Sequence, residues 1–207
     1  SNYSYEPSLG RRTSAGKAEI DDYPVGEFIC QKLLTMLEDI TWLKQQQRVL
    51  KTRTQVINDS FFNFQNHLMP GTTDLVITSP PYLNNYHYNR NTRPHLYWLN
   101  FVNGPKDFEP LEKANFGKYW QTVRELERVE LDFVLPDSGV KERLDLLREK
   151  KKDKGIYGGN GWANYAASYF NDCYRLASGI SYALRQDGIA LVVIGNSILQ
   201  GIMFPTD

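Results

Sequence analysis

Apolar residues recur at intervals of three or four positions along three stretches of the chain, the spacing typical of amphipathic helices. The first predicted helix runs from Glu27 to about Gln47, the second covers 140–147, and the longest runs from Trp162 to about Leu184. A short helix is predicted over about 94–101 and a further helix over about 111–130. The polar residues 1–26, rich in Gly, Ser and Pro, are predicted to form an arm or lead-in loop.

Three short apolar runs predict strands: Thr54–Ile57, Asp74–Thr78 and Ile189–Ile194. The second must end at Ser79-Pro80-Pro81, because proline cannot donate a ladder hydrogen bond. The third is a continuous apolar run of the kind found in buried central strands. Helices that alternate with short apolar strands predict an α/β fold with a largely parallel sheet. We expect one domain over 27–207, with a helical insertion at about 102–160.

Composition narrows the possible classes of protein. The 207 residues include 24 basic and 24 acidic side chains, so the net charge is zero and a polybasic nucleic-acid tail is excluded, although a local basic face is not. Cys30 and Cys173 are too far apart for a CxxC motif and indicate a reducing compartment, so we expect a cytoplasmic protein. No apolar run is long enough for a membrane span, and the three histidines lack metal-site spacing. Neither a membrane nor a metal is expected as a partner.

The sharpest chemical feature is Ser79-Pro80-Pro81-Tyr82, directly after a predicted strand. Ligands of α/β sheets bind beyond the carboxyl ends of the strands. The rigid Pro-Pro holds backbone carbonyls in fixed directions, and Tyr82 offers a flat face, which suits an exocyclic amine on a planar ring. The lone pair of such an amine is delocalised into the ring. A Ser79 oxygen and the Pro80 carbonyl that accept its two N–H bonds would free that lone pair. The alternative is a simple strand-ending turn.

These four residues resemble the motif of the S-adenosylmethionine-dependent DNA amino-methyltransferases, [Ser/Asn/Asp]-Pro-Pro-[Tyr/Phe/Trp] after the fourth sheet strand. The Ser-Pro-Pro-Tyr form resembles the N4-cytosine branch more than the Asp-Pro-Pro-Tyr form of the N6-adenine branch. The resemblance implies a Rossmann-like methyltransferase sheet with inserted helices, S-adenosylmethionine as cofactor and a flipped DNA base as substrate. It also implies a catalytic role for the four motif residues, in an enzyme of the restriction–modification type.

The resemblance extends to both sides of the motif. Asn58-Asp59-Ser60 is similar to the family's acidic turn, which implies that Asp59 lies near the cofactor adenine. Gly195-Asn196-Ser197 is similar to the family's later strand end, which implies a cofactor-binding role for Asn196. The family's glycine-rich cofactor loop is absent from the 207 residues. The resemblance therefore implies an incomplete sheet, with the loop on a missing segment or a second subunit.

A polar and aromatic loop follows the motif. Tyr86 and Tyr88 are predicted to line the pocket for the flipped base, and Arg90 and Arg93 to meet DNA phosphates. The alternative is an ordinary solvated loop before a helix. For the enzyme as a whole, the alternatives are the same chemistry on N6-adenine, an RNA base or a protein amide. An alternative of another class is a catalytically silent DNA-recognition or partner module.

Overall fold

The computed structural model describes Gly16 and residues 23–46, 53–84, 86 and 88–206. The chain divides into two compact units, residues 1–57 and 58–207, and each is described by itself. Most of the predicted lead-in loop over 1–26 lies outside the described residues, as does the side chain of Arg90.

The described residues of the first unit contain one helix, α1 (Val25–Gln45), which confirms the helix predicted from Glu27. The strand predicted at Thr54–Ile57 is wrong, because residues 53–57 are extended without strand pairing and the Val56 side chain is 95 % exposed. Strand propensity becomes a strand only where a neighbouring strand pairs with it, and none pairs with Val56 in the described part of the chain.

The second unit begins with a short 3-10 helix, Phe61–Asn66. The α-helices and strands follow in the order β1 (Thr73–Thr78), α2 (Tyr88–Trp98), α3 (Phe108–Ala114), α4 (Trp120–Val123), α5 (Val140–Glu149), α6 (Gly159–Ala183), β2 (Leu184–Val192), β3 (Ser197–Leu199) and β4 (Ile202–Phe204). Two further 3-10 helices, Pro105–Asp107 and Lys152–Tyr157, precede α3 and α6.

The strands form two small sheets. β1 and β2 pair in parallel, with Leu75 opposite Ile189 and Thr78 opposite Val192. β3 and β4 form an antiparallel hairpin. β2 begins directly after α6 rather than at Ile189, and it contains Asp187 and Gly188 at an irregularity in the pairing. The structure is therefore a mixed α/β arrangement with a small parallel sheet.

The core of the second unit lies around α6, not around the sheet. Buried side chains of α4, α5 and the β3–β4 hairpin pack against this helix, whose Ala163, Ala166 and Ala167 are fully buried. The apolar side chains of the parallel sheet are exposed by contrast, Ile77 by 68 % and Leu191 by 53 %. The prediction that Ile189–Ile194 is a buried strand is therefore wrong for the unit as described. Parallel strands are buried where helices cover both faces of their sheet, and both faces of this two-stranded sheet are not covered in that way.

Two predicted helices have different bounds. The helix expected over 111–130 is interrupted between α3 and α4, where Gly117 adopts a φ of 66°, a left-handed conformation that ends a helix. The helix expected over 94–101 begins earlier, at Tyr88, and contains Pro94 in its interior. None of the described helices is long and apolar enough to cross a membrane.

Candidate functional site

The motif Ser79-Pro80-Pro81-Tyr82 leaves β1 at its carboxyl end, as the sequence predicts. β1 ends at Thr78, whose carbonyl accepts a 2.9 Å hydrogen bond from the Val193 amide beyond β2. Ser79 is exposed, whereas Pro80 is buried and Pro81 and Tyr82 are half-buried. The motif therefore presents a hydroxyl to solvent from an anchored backbone.

The ring of Tyr82 lies against the backbone of Gly195, at the end of the neighbouring strand. A Cβ atom on Gly195 would lie 3.4 Å from Tyr82 Cε2 and 3.6 Å from Cδ2. The ends of the two parallel strands therefore meet through this contact, at the edge of the sheet where α/β proteins bind ligands.

A buried tyrosine of α6 forms a hydrogen bond with the backbone of the motif. The Tyr169 hydroxyl donates a 3.0 Å hydrogen bond to the Pro81 carbonyl, and the tyrosine is fully buried. Burial raises the pKa of Tyr169 far above its ordinary value, so the hydroxyl remains a donor at every physiological pH. The sequence identifies Tyr169 only as an apolar-face residue of α6, because its contact with Pro81 spans 88 positions.

The loop between α3 and α4 holds Tyr169 in place. The Gly117 amide donates a 2.9 Å hydrogen bond to the buried Asp172 Oδ2, and a Cβ atom on Gly117 would lie 3.0 Å from Tyr169 Cδ2. The Phe116 ring meets the Tyr169 ring edge to face, with centroids 5.8 Å apart. Glycine suits this backbone position, because its φ is left-handed and an added Cβ atom would lie tight against the ring.

Asn196 lies beside the motif, directly after Gly195. Its Oδ1 accepts a 2.8 Å hydrogen bond from the Thr206 amide, which fixes the side chain. It contributes to an open cleft of about 480 Å³ that is also lined by Leu83 and Asn84, the two residues that follow Tyr82. The structure therefore brings Asn196 to the end of the motif, and its cofactor-binding role remains a prediction.

Asp59 has no recorded contact with the motif in the described residues. Its Oδ2 lies 2.6 Å from His67 Nε2, and its Oδ1 accepts hydrogen bonds from the Ser60 amide and Asn63 Nδ2. These bonds, chiefly the one with His67, lower the pKa of the Asp59 carboxyl. The carboxylate thus organises the first turn of the 3-10 helix, and its predicted contact with a cofactor remains a prediction.

The predicted DNA-binding residues divide into two groups. Tyr86 and Tyr88 lie next to each other, with ring centroids 4.7 Å apart, and burial together with the nearby Tyr86 and Tyr82 raises the pKa of Tyr88. Three tyrosines therefore cluster beside the motif. Arg93 instead stacks on the Phe108 ring, with Cζ 4.9 Å from the ring centroid, and its Nε is buried. Arg93 thus packs against α3 through part of its guanidinium.

Comparison with known proteins gives one partial similarity. Neither a family model nor a solved structure matches the chain. Over 75 residues, 36 % of this chain, the sequence is 37 % identical to the type II methyltransferase M.BsoBI of Geobacillus stearothermophilus. The aligned part spans only 15 % of that enzyme. Similarity to a methyltransferase is therefore established for about a third of the chain.

The glycine cluster at the start of α6 is closely packed. The densest glycine cluster, Gly158-Gly159-Asn160-Gly161, opens α6, but a Cβ atom on Gly159 would lie 1.8 Å from the Leu147 carbonyl oxygen. The Gly159 amide also donates to the Lys150 carbonyl, at 2.7 Å. These glycines allow α6 to pack on the end of α5 and do not form an open cradle. No group of three or more His, Cys, Asp or Glu in the described ranges could hold a metal ion.

Proposed function

We propose that this chain carries the base-binding and catalytic part of an S-adenosylmethionine-dependent DNA amino-methyltransferase, with N4 of cytosine as its preferred target. The observation that carries the proposal is the Ser-Pro-Pro-Tyr motif at the carboxyl end of β1, braced at the Pro81 carbonyl and at the Tyr82 ring. The partial similarity to a type II methyltransferase supports the same conclusion.

The chemistry follows from the acceptors of the motif. The target amine is a poor nucleophile until its nitrogen becomes tetrahedral. The exposed Ser79 hydroxyl oxygen and the Pro80 carbonyl accept the two N–H bonds and favour that geometry, so the lone pair points towards the incoming methyl group. S-adenosylmethionine would supply the electrophilic methyl group when bound. The methyl–sulfur bond would break as the methyl–nitrogen bond forms, and the nitrogen would lose one of its two protons to water. Catalysis by this chain is thus mainly positioning, together with a desolvated site.

The target base must leave the duplex to reach such a site. The Tyr82 ring is proposed to stack on the extruded base, with Tyr86 and Tyr88 beside it. Arg90 and the outer nitrogens of Arg93 are proposed to contact the flanking phosphates, because arginine binds phosphate oxygens in a bidentate manner. The charged residues 148–154 follow the end of α5 and are not assigned to DNA, although Lys151 Nζ donates a 3.1 Å hydrogen bond to Gln200 Oε1 in the cleft beside Asn196.

The cofactor loop is proposed to come from another segment or a second subunit. Each strand of the parallel sheet has one edge without a partner in the described part of the chain, and its apolar side chains are exposed. Parallel sheets are normally covered on both faces. A further strand with a glycine-rich loop would supply both the missing sheet contacts and the missing cradle for the methionine end of the cofactor.

A second candidate is a catalytically silent DNA-recognition or partner module. It is favoured by the same two observations that argue against cofactor binding by the described residues: the closed packing of Gly159 and the engaged carboxylate of Asp59. The same chemistry on N6-adenine, on an RNA base or on a protein amide is the alternative within enzymes, since all offer a conjugated amino group.

The deciding experiment is a methyl-transfer assay with the complete enzyme. Duplex DNA is incubated with S-adenosylmethionine that carries a labelled methyl group, and the nucleosides are separated after digestion. N4-methylcytosine is the expected product. N6-methyladenine would replace the preferred target, and a complete enzyme that binds DNA but transfers no label would indicate the silent module.

A further inference from the structure

We propose that Tyr169 is a positioning residue for the Ser-Pro-Pro-Tyr motif, holding the Pro81 carbonyl so that the Tyr82 ring is presented in one orientation. The inference rests on the proposed function for its catalytic consequence, and on the structure alone for its geometry. The supporting contact is the 3.0 Å hydrogen bond from the fully buried Tyr169 hydroxyl to the Pro81 oxygen.

This hydrogen bond restricts the backbone torsion that sets the direction of Tyr82. The Pro81 carbonyl and the Tyr82 amide belong to the same planar peptide unit. The proline ring fixes φ of Pro81, so ψ of Pro81 is the remaining soft torsion between that ring and the peptide. A hydrogen bond to the carbonyl oxygen fixes ψ, and with it the direction in which the chain enters Tyr82.

A second contact fixes the other end of the same residue. The Tyr82 ring rests on Gly195, where a Cβ atom would lie 3.4 Å from the ring edge. Tyr82 is thus held at its backbone by α6 and at its ring by the end of β2. The Tyr82 side chain therefore has little conformational freedom left, and stacking on a planar base in one orientation requires this.

The surroundings of Tyr169 are built to hold its ring. A Cβ atom added to Gly117 would lie 3.0 Å from Tyr169 Cδ2, and the Phe116 ring meets the Tyr169 ring edge to face. The Asp172 carboxylate accepts a hydrogen bond from the Gly117 amide and so fixes this loop. Phenylalanine would fill the same space. The hydroxyl is therefore not needed for the packing of the ring. It bonds the motif carbonyl and also contacts the Cys173 thiol, one turn further along the same helix.

The chain offers a matched control on the same helix. Tyr165 lies one turn before Tyr169, is 1 % exposed, and meets the Trp162 ring edge to face. Tyr169→Phe and Tyr165→Phe each remove one hydroxyl from an equally buried tyrosine. Only the first removes the recorded hydrogen bond to the motif.

The geometric test uses the 207-residue chain, with Tyr82 replaced by 4-fluorophenylalanine as a ¹⁹F NMR probe. We expect one sharp resonance with Tyr169 present, a shifted or broadened resonance with Tyr169→Phe, and an unchanged resonance with Tyr165→Phe. A resonance that Tyr169→Phe leaves unchanged overturns the inference, whatever happens to activity.

The catalytic test uses the complete enzyme. Tyr169→Phe is expected to lower kcat about 5- to 30-fold with KM for DNA and cofactor nearly unchanged, the loss expected for a misplaced reactive base. Tyr165→Phe is expected to keep kcat within about 2-fold, because the hydrogen bond from Tyr169 to the motif carbonyl is retained. Equal losses for both variants would assign Tyr169 a merely structural role. An inactive parent enzyme would refute the proposed function, whereas the ¹⁹F result would still decide the role of Tyr169.

Discussion

Ser79 combines an exposed side chain with a rigid backbone. It follows the last residue of β1 and precedes a buried proline, so its hydroxyl is accessible but its position is fixed. A hydrogen bond to this hydroxyl that strengthens only as the target nitrogen becomes tetrahedral would stabilise the transition state and not the complex with DNA.

Ser79→Ala in the complete enzyme should therefore lower methyl transfer about 10- to 1000-fold, with little change in the Kd for DNA. Single-turnover rates and a DNA-binding titration measure the two quantities separately. Ser79→Thr, which keeps a hydroxyl, is the matched control and should retain more activity than Ser79→Ala. Unchanged turnover in Ser79→Ala would remove this residue from the mechanism.

Tyr82 is expected to act through its ring face. Tyr82→Ala should weaken capture of the extruded base by roughly 1–3 kcal/mol, the range measured for base stacking on aromatic side chains. Tyr82→Phe should be much milder, because the ring is retained. A duplex with 2-aminopurine at the target position reports the capture by fluorescence. If the two variants proved equally damaging, the hydroxyl rather than the ring would carry the function.

At the scale of elements, α6 is the helix on which the second unit is organised. It carries Tyr169 towards the motif, Asp172 towards Gly117 and Cys173 into the same partly buried region. Burial raises the pKa of Cys173 to about 12, so only about one thiol in ten thousand is a thiolate at pH 8. The thiolate is the reactive form.

Cys173 should therefore resist Ellman's reagent at pH 8 in the folded chain, whereas the exposed Cys30 of α1 should react within minutes. Spectrophotometric titration should give one fast thiol in the native protein and two after denaturation. Cys30→Ser is the control that leaves only the slow thiol. Fast reaction of that remaining thiol would mean that α6 is not packed as described.

The sequence predicts elements well where one periodic pattern suffices and poorly where a distant contact decides. α1 and α6 follow from the spacing of apolar residues, since a long amphipathic face has one stable arrangement. The helix over 111–130 fails at Gly117, whose left-handed φ accommodates Tyr169, 52 positions away. No local pattern around Gly117 contains that information.

The candidate site divides in the same way. The position of Ser79–Tyr82 after a strand follows from proline chemistry alone. The two contacts that brace the motif, from Tyr169 and from Gly195, depend on tertiary packing between segments about 90 and 110 residues further along the chain. A tyrosine on the apolar face of a helix looks the same in sequence whether its hydroxyl serves the core or a functional loop.

At the scale of the whole molecule, the described residues place the proposed catalytic motif on a two-stranded parallel sheet without a glycine cradle for a cofactor. The chain by itself should therefore bind S-adenosylmethionine weakly or not at all. Only glycine permits the close backbone approach that the methionine end of this cofactor needs. Isothermal titration calorimetry on the 207-residue chain should give no measurable heat at micromolar concentrations.

The matching experiment restores the proposed missing part. Addition of a segment with a glycine-rich loop, in the same polypeptide or as a second subunit, should bring the affinity into the micromolar range. Tight, stoichiometric binding by the 207-residue chain alone would refute the prediction. It would place a cofactor loop among residues outside the described ranges, most of which lie in the first 57 positions.

The two consecutive prolines also affect which bases the motif would bind poorly. Neither Pro80 nor Pro81 has an amide hydrogen, so this part of the backbone offers lone pairs and no donors. A base with an amino group finds acceptors there. Thymine or uracil would bring a keto oxygen to the same place, where it would face the Pro80 carbonyl oxygen without a proton between them, and only the Ser79 hydroxyl could donate to it. The missing amide hydrogens would thus disfavour the keto bases before any methyl group is transferred.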